Sequence, residues 1–126
     1  MDRTLVIVER AHRGAVEQQY AHVLWLVHAL HRQSPMSVLL RGPAAVYALD
    51  VPPPPPPQLG DRDWGVFPDY REALGRLRAD GALVLACAAS LHALDVADRP
   101  LCPDVQSVTK DEIAAALVQH RRVWFL

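Results

Sequence analysis

The chain has 126 residues, of which 51% are hydrophobic and 21% are charged, and its net charge at pH 7 is −1. This length fits one domain, residues 1–126, with a buried core, and the charge argues against a general nucleic-acid binder, which carries a basic surplus. No apolar segment reaches the roughly 20 residues that cross a bilayer. The N-terminal apolar run is too short for a secretory signal, so we expect a cytoplasmic protein.

The first half of the chain alternates strand and helix patterns. The apolar, β-branched run from Thr4 to Val8 predicts a strand. Helical spacing follows roughly from Gly14 to Gln33 and stops at Ser34-Pro35, because proline disfavours helix in the preceding residue. Met36 to Leu40 predicts a second strand, and Pro43 is placed to begin a short helix through Leu49.

A proline-rich loop is predicted at about residues 51–68. Six consecutive prolines, Pro52 to Pro57, require an extended segment without backbone donors, and the loop continues through Trp64 and Phe67. We favour a rigid surface connection over a docking ligand for an aromatic groove, because no further motif directs such a ligand here.

The second half repeats the alternation. Asp69 can cap a helix that ends near Asp80-Gly81. Thr109 and Glu112 match a capping box at the start of another helix. A strand that ends at Cys87 is followed by a short helix, which extends to about Leu94. The predicted strands are Leu83–Cys87, Val105–Val108 and Val123–Leu126.

About five strands separated by helices predict an α/β class, a single-domain three-layer fold with a five-stranded parallel sheet. Right-handed crossovers leave few topologies open, and we favour the flavodoxin-like order 2-1-3-4-5. The segment Glu9 to Gly14, after the first strand, lacks both the GxGxxG and the Walker patterns. A nucleotide or flavin function therefore has no positive support, and we expect no cofactor.

Cys87 stands where the third predicted strand meets a helix. In an open parallel sheet, ligands collect at the carboxyl ends of the strands. A helix N-terminus also favours a thiolate, since its partial positive charge and unpaired N–H groups stabilise an anion. The residue is therefore a candidate nucleophile, and the alternative interpretation is a small buried hydrophobe.

The segment Leu85-Ala-Cys-Ala-Ala-Ser-Leu91 resembles the cysteine motif of the DsrE/DsrF-like sulfur-relay proteins, and is most similar to the DsrF/TusC branch. The first strand, the helix after Asp69, the Val105 strand with its Thr109 cap and the closing Val123–Leu126 run lie in similar order. The resemblance thus covers nearly the whole chain, although only the cysteine segment is specific.

The resemblance implies a sulfurtransferase or sulfur carrier, with Cys87 holding a persulfide, in sulfur oxidation or tRNA 2-thiolation. It also implies trimers or hexamers with DsrE- or DsrH-like subunits, and exchange with donor and acceptor proteins. No cofactor, metal, membrane or direct nucleic-acid contact is implied. The alternative is a non-catalytic assembly subunit of a DsrEFH/TusBCD-like complex. A third possibility is a thiol sensor that uses Cys87 and Cys102.

Several other side chains are candidates around that thiol. His92 could add positive charge beside Cys87, but a partly exposed helix residue is the favoured interpretation. Cys102 could resolve a persulfide or disulfide on Cys87. Asp95 stands where the family pattern often has an Arg-Gly pair, and would oppose thiolate formation. Three basic side chains after the first strand could bind an anionic sulfur donor, or they could belong to a solvated loop. They are Arg10, His12 and Arg13.

Two features of the first long helix concern metals and assembly. His28 and His31 are one turn apart, which is compatible with a shared metal, but no carboxylate follows on that face and we predict no metal site. Trp25 and Leu26 lie on a different face from the apolar stripe. Because such a patch is normally covered by another subunit, we predict an oligomer with this helix at an interface.

Overall fold

Five parallel strands form one sheet within residues 3–9, 22–52, 58–63 and 70–126, which are the residues that the computed structural model describes. They pair only in parallel. Numbered along the chain, they are β1 (Thr4–Val8), β2 (Met36–Leu40), β3 (Leu83–Cys87), β4 (Gln106–Val108) and β5 (Arg122–Phe125). The α/β class and the five-stranded parallel sheet are confirmed.

The spatial order of the strands is 4-3-2-1-5, which differs from the predicted order 2-1-3-4-5. β1 therefore lies between β2 and β5, whereas the predicted order placed it between β2 and β3. The chain steps in one direction from β1 to β4 and then returns past β1 to place β5 at the far edge.

The helices explain this order. They are α1 (His22–His31), a 3₁₀ helix (Gly42–Ala48), α2 (Tyr70–Ala79), α3 (Ala88–Ala93) and α4 (Lys110–Gln119). All of them except α4 contribute to a core on one face of the sheet, and α4 packs on the other face. Since parallel crossovers are right-handed, connections on one face step in one direction. A connection on the other face must step back, and α4 does so.

The two faces of the sheet are both apolar, so the central strands are buried throughout. Side chains alternate between the faces with the pleat. Val6, Val38 and Val84 point towards α1, α2 and the 3₁₀ helix. Leu5, Leu39 and Leu85, together with other side chains of the same parity, point towards α4. The core therefore has a larger and a smaller half.

The helix ends follow the predicted chemistry. Thr109 and Glu112 form the capping box that begins α4: the Glu112 N–H donates to Thr109 Oγ1 at 3.3 Å, and the Thr109 N–H donates to Glu112 Oε2 at 2.7 Å. α2 ends at Ala79, and Gly81, two residues later, has the left-handed φ of +90° that closes such an end. The Ala82 N–H closes this end by donating to the Leu77 carbonyl at 3.0 Å. The predicted helix start at Gly14 and the Asp69 cap lie outside the described residues.

The predicted loop contains a short antiparallel hairpin that sequence reasoning missed. Gln58–Leu59 pairs with Arg62–Asp63, and Gly60 in the two-residue turn has a φ of +64°. A positive φ at the first position of such a turn matches the twist of the flanking strands, so the Gly60-Asp61 pair was the available signal. Pro53 to Pro57, Trp64 and Phe67 lie outside the described residues. Among the described helices, none is long and apolar enough to span a bilayer.

Candidate functional site

A cleft of about 380 Å³ opens at the carboxyl ends of four neighbouring strands, on the face that α4 covers. This is the edge at which open parallel sheets collect ligands. Its walls are mainly apolar and come from β1, β2, β5, α3 and α4: Ile7, Leu39, Phe125, Ala89, Ala93, Ile113 and Leu117. Its polar lining residues are Arg41, Cys87, Ser90 and Lys110. Among these described lining residues, none is acidic.

Cys87 lies at the junction that the sequence predicted. It is the last residue of β3 and the N-cap of α3, and it points to the α4 face together with Leu85. Its exposure is only 4%, yet it lines the cleft, so a reagent must enter the cleft to reach the thiol. Within the described first turn of α3, its side chain makes no capping hydrogen bond, which leaves the sulfur available for chemistry.

Arg41 makes two hydrogen bonds to the segment that ends β1, and the residue after it makes a third to α3. Its backbone N–H donates to the Val8 carbonyl at 3.0 Å, and its guanidinium donates to Glu9 Oε1 at 2.8 Å. The next residue, Gly42, has a φ of +58°, and its N–H donates to Ser90 Oγ at 2.9 Å. The hydroxyl of Ser90 thereby ties the start of the 3₁₀ helix to α3, which fixes the Arg41 backbone at the cleft, while its half-exposed guanidinium pairs with Glu9.

Lys110 supplies the second cation. It is the first residue of α4, directly after Thr109, whose capping box with Glu112 fixes where this helix begins. It is also the only lysine in the chain. Sequence reasoning named neither cation as a site residue. A signal existed, because Arg41 follows β2 and Lys110 closely follows β4, and both strands end at the edge where ligands collect.

The other residues proposed around the thiol do not gather there. His92 is exposed and is not among the residues that line the cleft. Asp95 is exposed beyond the opposite end of α3, where its φ of +58° and its N–H donation to the His92 carbonyl at 3.0 Å close the helix. Its role in the fold is therefore a helix terminator. The predicted charges at Arg10, His12 and Arg13 lie outside the described residues.

Cys102 belongs to the other half of the core. It is buried on the α1 side of the sheet, whereas Cys87 is buried on the α4 side, and both are thiols. Its S–H donates to the Leu49 carbonyl at 3.5 Å. The sheet separates the two sulfur atoms, so the structure does not bring Cys102 to Cys87 as a resolving or sensing partner.

His28 meets the carboxylate of Asp80, which the sequence did not reveal, and His31 meets the backbone carbonyl of the same residue. His28 Nε2 donates to Asp80 Oδ2 at 2.5 Å, at the end of α2. His31 Nδ1 accepts the Met36 N–H at 2.9 Å, and its Nε2 donates to the Asp80 carbonyl at 2.8 Å. The hydrogen bond from His28 lowers the pKa of Asp80. Among the described residues there is no group of three His, Cys, Asp or Glu that could hold a metal.

His120 is a buried histidine that links α4 to β2. Its Nδ1 is 2.7 Å from the Ala116 carbonyl, which can only accept, so Nδ1 carries the hydrogen. With the ring neutral, Nε2 accepts from the Ser37 hydroxyl at 2.8 Å. Ser37 stands near the start of β2, away from the cleft, and this pair joins the two layers without taking part in the site.

Apolar side chains also remain exposed outside the cleft. Trp25 on α1 is 67% exposed, as its position on the helix predicted, and Leu26 beside it is 40% exposed. Trp124 on β5, at the edge of the sheet, is 41% exposed. The oligomer inferred from the face of α1 stays a prediction.

No protein-family model matches the chain, and no curated protein matches it. Among solved structures, the chain is similar to the YchN protein from E. coli, with a TM-score of 0.74 and 18% sequence identity over 100% of both chains. At this identity the likeness shows the fold. The sulfur-relay family and its DsrF/TusC branch, which the resemblance of the cysteine segment implies, stay predictions.

Proposed function

We propose that this chain carries sulfane sulfur as a persulfide on Cys87 and acts as a sulfur-relay protein. The observation that supports this most is the position of the thiol, at the end of β3 and in the wall of a cleft that small molecules can enter. The fold shared with YchN is consistent with such a role.

The chemistry needs little beyond an accessible thiolate. In sulfur transfer, the attacking sulfur is both nucleophile and carrier, so no general base is required in the transfer step. Arg41 and Lys110 place positive charge in the lining of the same cleft, which favours the entry of an anionic sulfur donor. Cys87 is 4% exposed in the wall of the cleft, and this burial should keep bulky thiols away from a bound persulfide.

The finer assignment follows the sequence resemblance. We propose a place like that of the DsrF/TusC subunits, in sulfur oxidation or in tRNA 2-thiolation. A second candidate function is that of an assembly subunit which holds a catalytic partner. The exposed aromatic residues Trp25 and Trp124 favour it, because patches of this kind are commonly covered by another chain.

The carrier role is tested by loading the protein with sulfur. Wild type is incubated with a cysteine desulfurase and cysteine, and the intact mass is measured. We expect a gain of one sulfur atom that reductant removes. Cys87→Ser should show no gain, while Cys102→Ser, a matched change of a buried thiol on the other face, should still be loaded. A wild type that gains no sulfur from the desulfurase and none from a small sulfane-sulfur donor would exclude the carrier role.

The assembly role makes a different prediction. Cys87→Ser should form the same complex as wild type with DsrE- and DsrH-like subunits, and the sulfur-transfer activity should stay with the partner. Size-exclusion chromatography of the mixed subunits measures the first property. If Cys87→Ser abolishes transfer by an intact complex, the carrier function holds and the assembly-only function is wrong.

A further inference from the structure

We propose that the cleft binds a small thiosulfonate anion, R–SO₂–S⁻, with thiosulfate as its smallest relative, as the sulfur donor. Arg41 and Lys110 bind the sulfonyl oxygens, the apolar walls receive the R group, and Cys87 attacks the outer sulfur. This inference rests on the proposed function, because it names the class of donor that loads Cys87.

The burial of the thiol favours a small donor. Cys87 is 4% exposed, and it is reached through a cleft of about 380 Å³. This volume lies in the range of roughly 300–1,000 Å³ that is typical of small-molecule sites. A cysteine on the surface of a protein donor could approach the sulfur only if the walls formed by α3 and α4 moved apart, whereas a small anion fits the cleft as it stands.

The charge of the cleft favours an anion. The chain as a whole carries a net charge of −1, but its cleft is lined by two cations, and no described lining residue is acidic. Glu9 pairs with the Arg41 guanidinium and thereby orients it. Arginine presents several N–H donors in a fork that suits oxyanions, so one partner leaves donors for a sulfonyl group.

The apolar walls distinguish thiosulfonates from thiosulfate. Ile113 and Leu117 on α4 face the same space as Phe125 on β5. A site made for an inorganic dianion alone would present hydrogen-bond donors on most sides. A cationic end beside an apolar wall instead matches a molecule with a charged head and a hydrocarbon group, and benzenethiosulfonate is a simple probe of this shape.

The transfer balances without an oxidant or reductant. The Cys87 thiolate forms a bond to the outer sulfur, and the bond between that sulfur and the sulfonyl sulfur breaks. The bonding electron pair leaves with the sulfonyl group, as a sulfinate from a thiosulfonate or as sulfite from thiosulfate. The product on the protein is the persulfide anion, and the thiol proton was released to solvent when the thiolate formed.

The experiment measures sulfinate release and mass gain in a single turnover with benzenethiosulfonate below saturation. We expect Arg41→Gln and Lys110→Gln each to lower the loading rate about tenfold, as the loss of one charge-assisted hydrogen bond implies. Each of these two substitutions should act by raising the donor concentration that gives half the maximal rate. Lys110→Arg, which keeps the charge, should retain most of the rate. Arg99→Gln makes the same change in charge in an exposed loop and should load like wild type.

The outcomes separate the two proposals. Loading by a cysteine desulfurase but not by benzenethiosulfonate would overturn the small-donor inference and leave the carrier function intact. Loading by benzenethiosulfonate at equal rates in wild type and both Gln variants would show that the cations do not bind the donor, and would also overturn it. Failure of both donors would exclude the carrier function itself. Circular dichroism of each variant excludes misfolding as the cause of a lost rate.

Discussion

The hydrogen bond between Ser37 and His120 gives the sharpest prediction about stability. Ser37 is fully buried and His120 is 8% exposed, so water cannot readily replace the 2.8 Å bond between them. Ser37→Ala removes the hydroxyl with almost no change of volume and leaves Nε2 of His120 as a buried acceptor without its donor. Such a group costs about 1–3 kcal/mol.

The assay is urea unfolding at neutral pH, followed by far-UV circular dichroism. We expect Ser37→Ala to lower the free energy of unfolding by about 2 kcal/mol. For a domain of this size, the midpoint of thermal unfolding then falls by about 8 °C, at roughly 4 °C per kcal/mol. Ser107→Ala, on the exposed strand β4, makes the same change where water can replace the hydroxyl, and should shift stability by less than about 0.5 kcal/mol.

A double-mutant cycle tests the cause. His120→Leu alone leaves the Ser37 hydroxyl unpaired, whereas the double variant removes both polar groups. The double variant should therefore be more stable than the sum of the single losses predicts, by about 1 kcal/mol or more. If Ser37→Ala is as stable as wild type, or if the two losses simply add, then this bond does not hold α4 to β2 and the reasoning is wrong.

Three further predictions concern the helices. Gly81→Ala should lower the free energy of unfolding by about 1–2 kcal/mol, because a φ of +90° disfavours a side chain although no atom lies within 4 Å. Gly75→Ala, at an exposed position within α2, should instead raise the free energy of unfolding by about 0.5–1 kcal/mol. If urea unfolding shows that both changes shift stability in the same direction, this explanation is wrong. Because the pKa of Asp80 is lower in the folded protein than its ordinary value of 3.8, the ionised carboxylate stabilises the fold above pH 3.8. This stabilisation is lost as the pH falls through the lower folded-state pKa. The stability difference between wild type and Asp80→Asn should therefore shrink in acid, and a gap that persists there counts against the His28 contact. Trp25→Glu should shift any oligomer towards monomer in light scattering, and an unchanged mass would remove α1 from the interface.

The local elements could be predicted because their signals are local. The bounds of β2 and β3 agree with the predicted runs, and the capping box at Thr109 marks the start of α4. The position of Cys87 also follows from neighbouring residues, since a strand that ends at a helix start needs only a few residues on each side.

The order of the strands could not be predicted in the same way. A strand that is buried on both faces has no polar side, so its pattern does not tell which face the next helix covers. Right-handed connections turn that choice directly into strand order, and the placement of α4 alone on one face moved β5 beside β1.

The contacts of the site depend on pairs of residues far apart in the chain. Gly42 and Ser90 are 48 residues apart, and His28 and Asp80 are 52 residues apart. No spacing rule reaches that far. The cations of the cleft escaped prediction for the same reason, although their positions after strand ends were a usable signal. The opposite placement of Cys102 likewise depends on which side of the sheet its loop covers.

The position of β5 beside β1 has a consequence for the order in which the protein folds. Thr4 pairs with Arg122, so this pairing joins residues near the two ends of the sequence, and such distant pairings are slow to form. Phe125 on β5 is part of the cleft wall. A refolding chain that has assembled the first four strands but has not yet added β5 therefore lacks the part of the cleft wall that Phe125 forms, and its Cys87 thiol is less protected. During refolding, protection of Cys87 from a bulky alkylating reagent should mature only in the last kinetic phase.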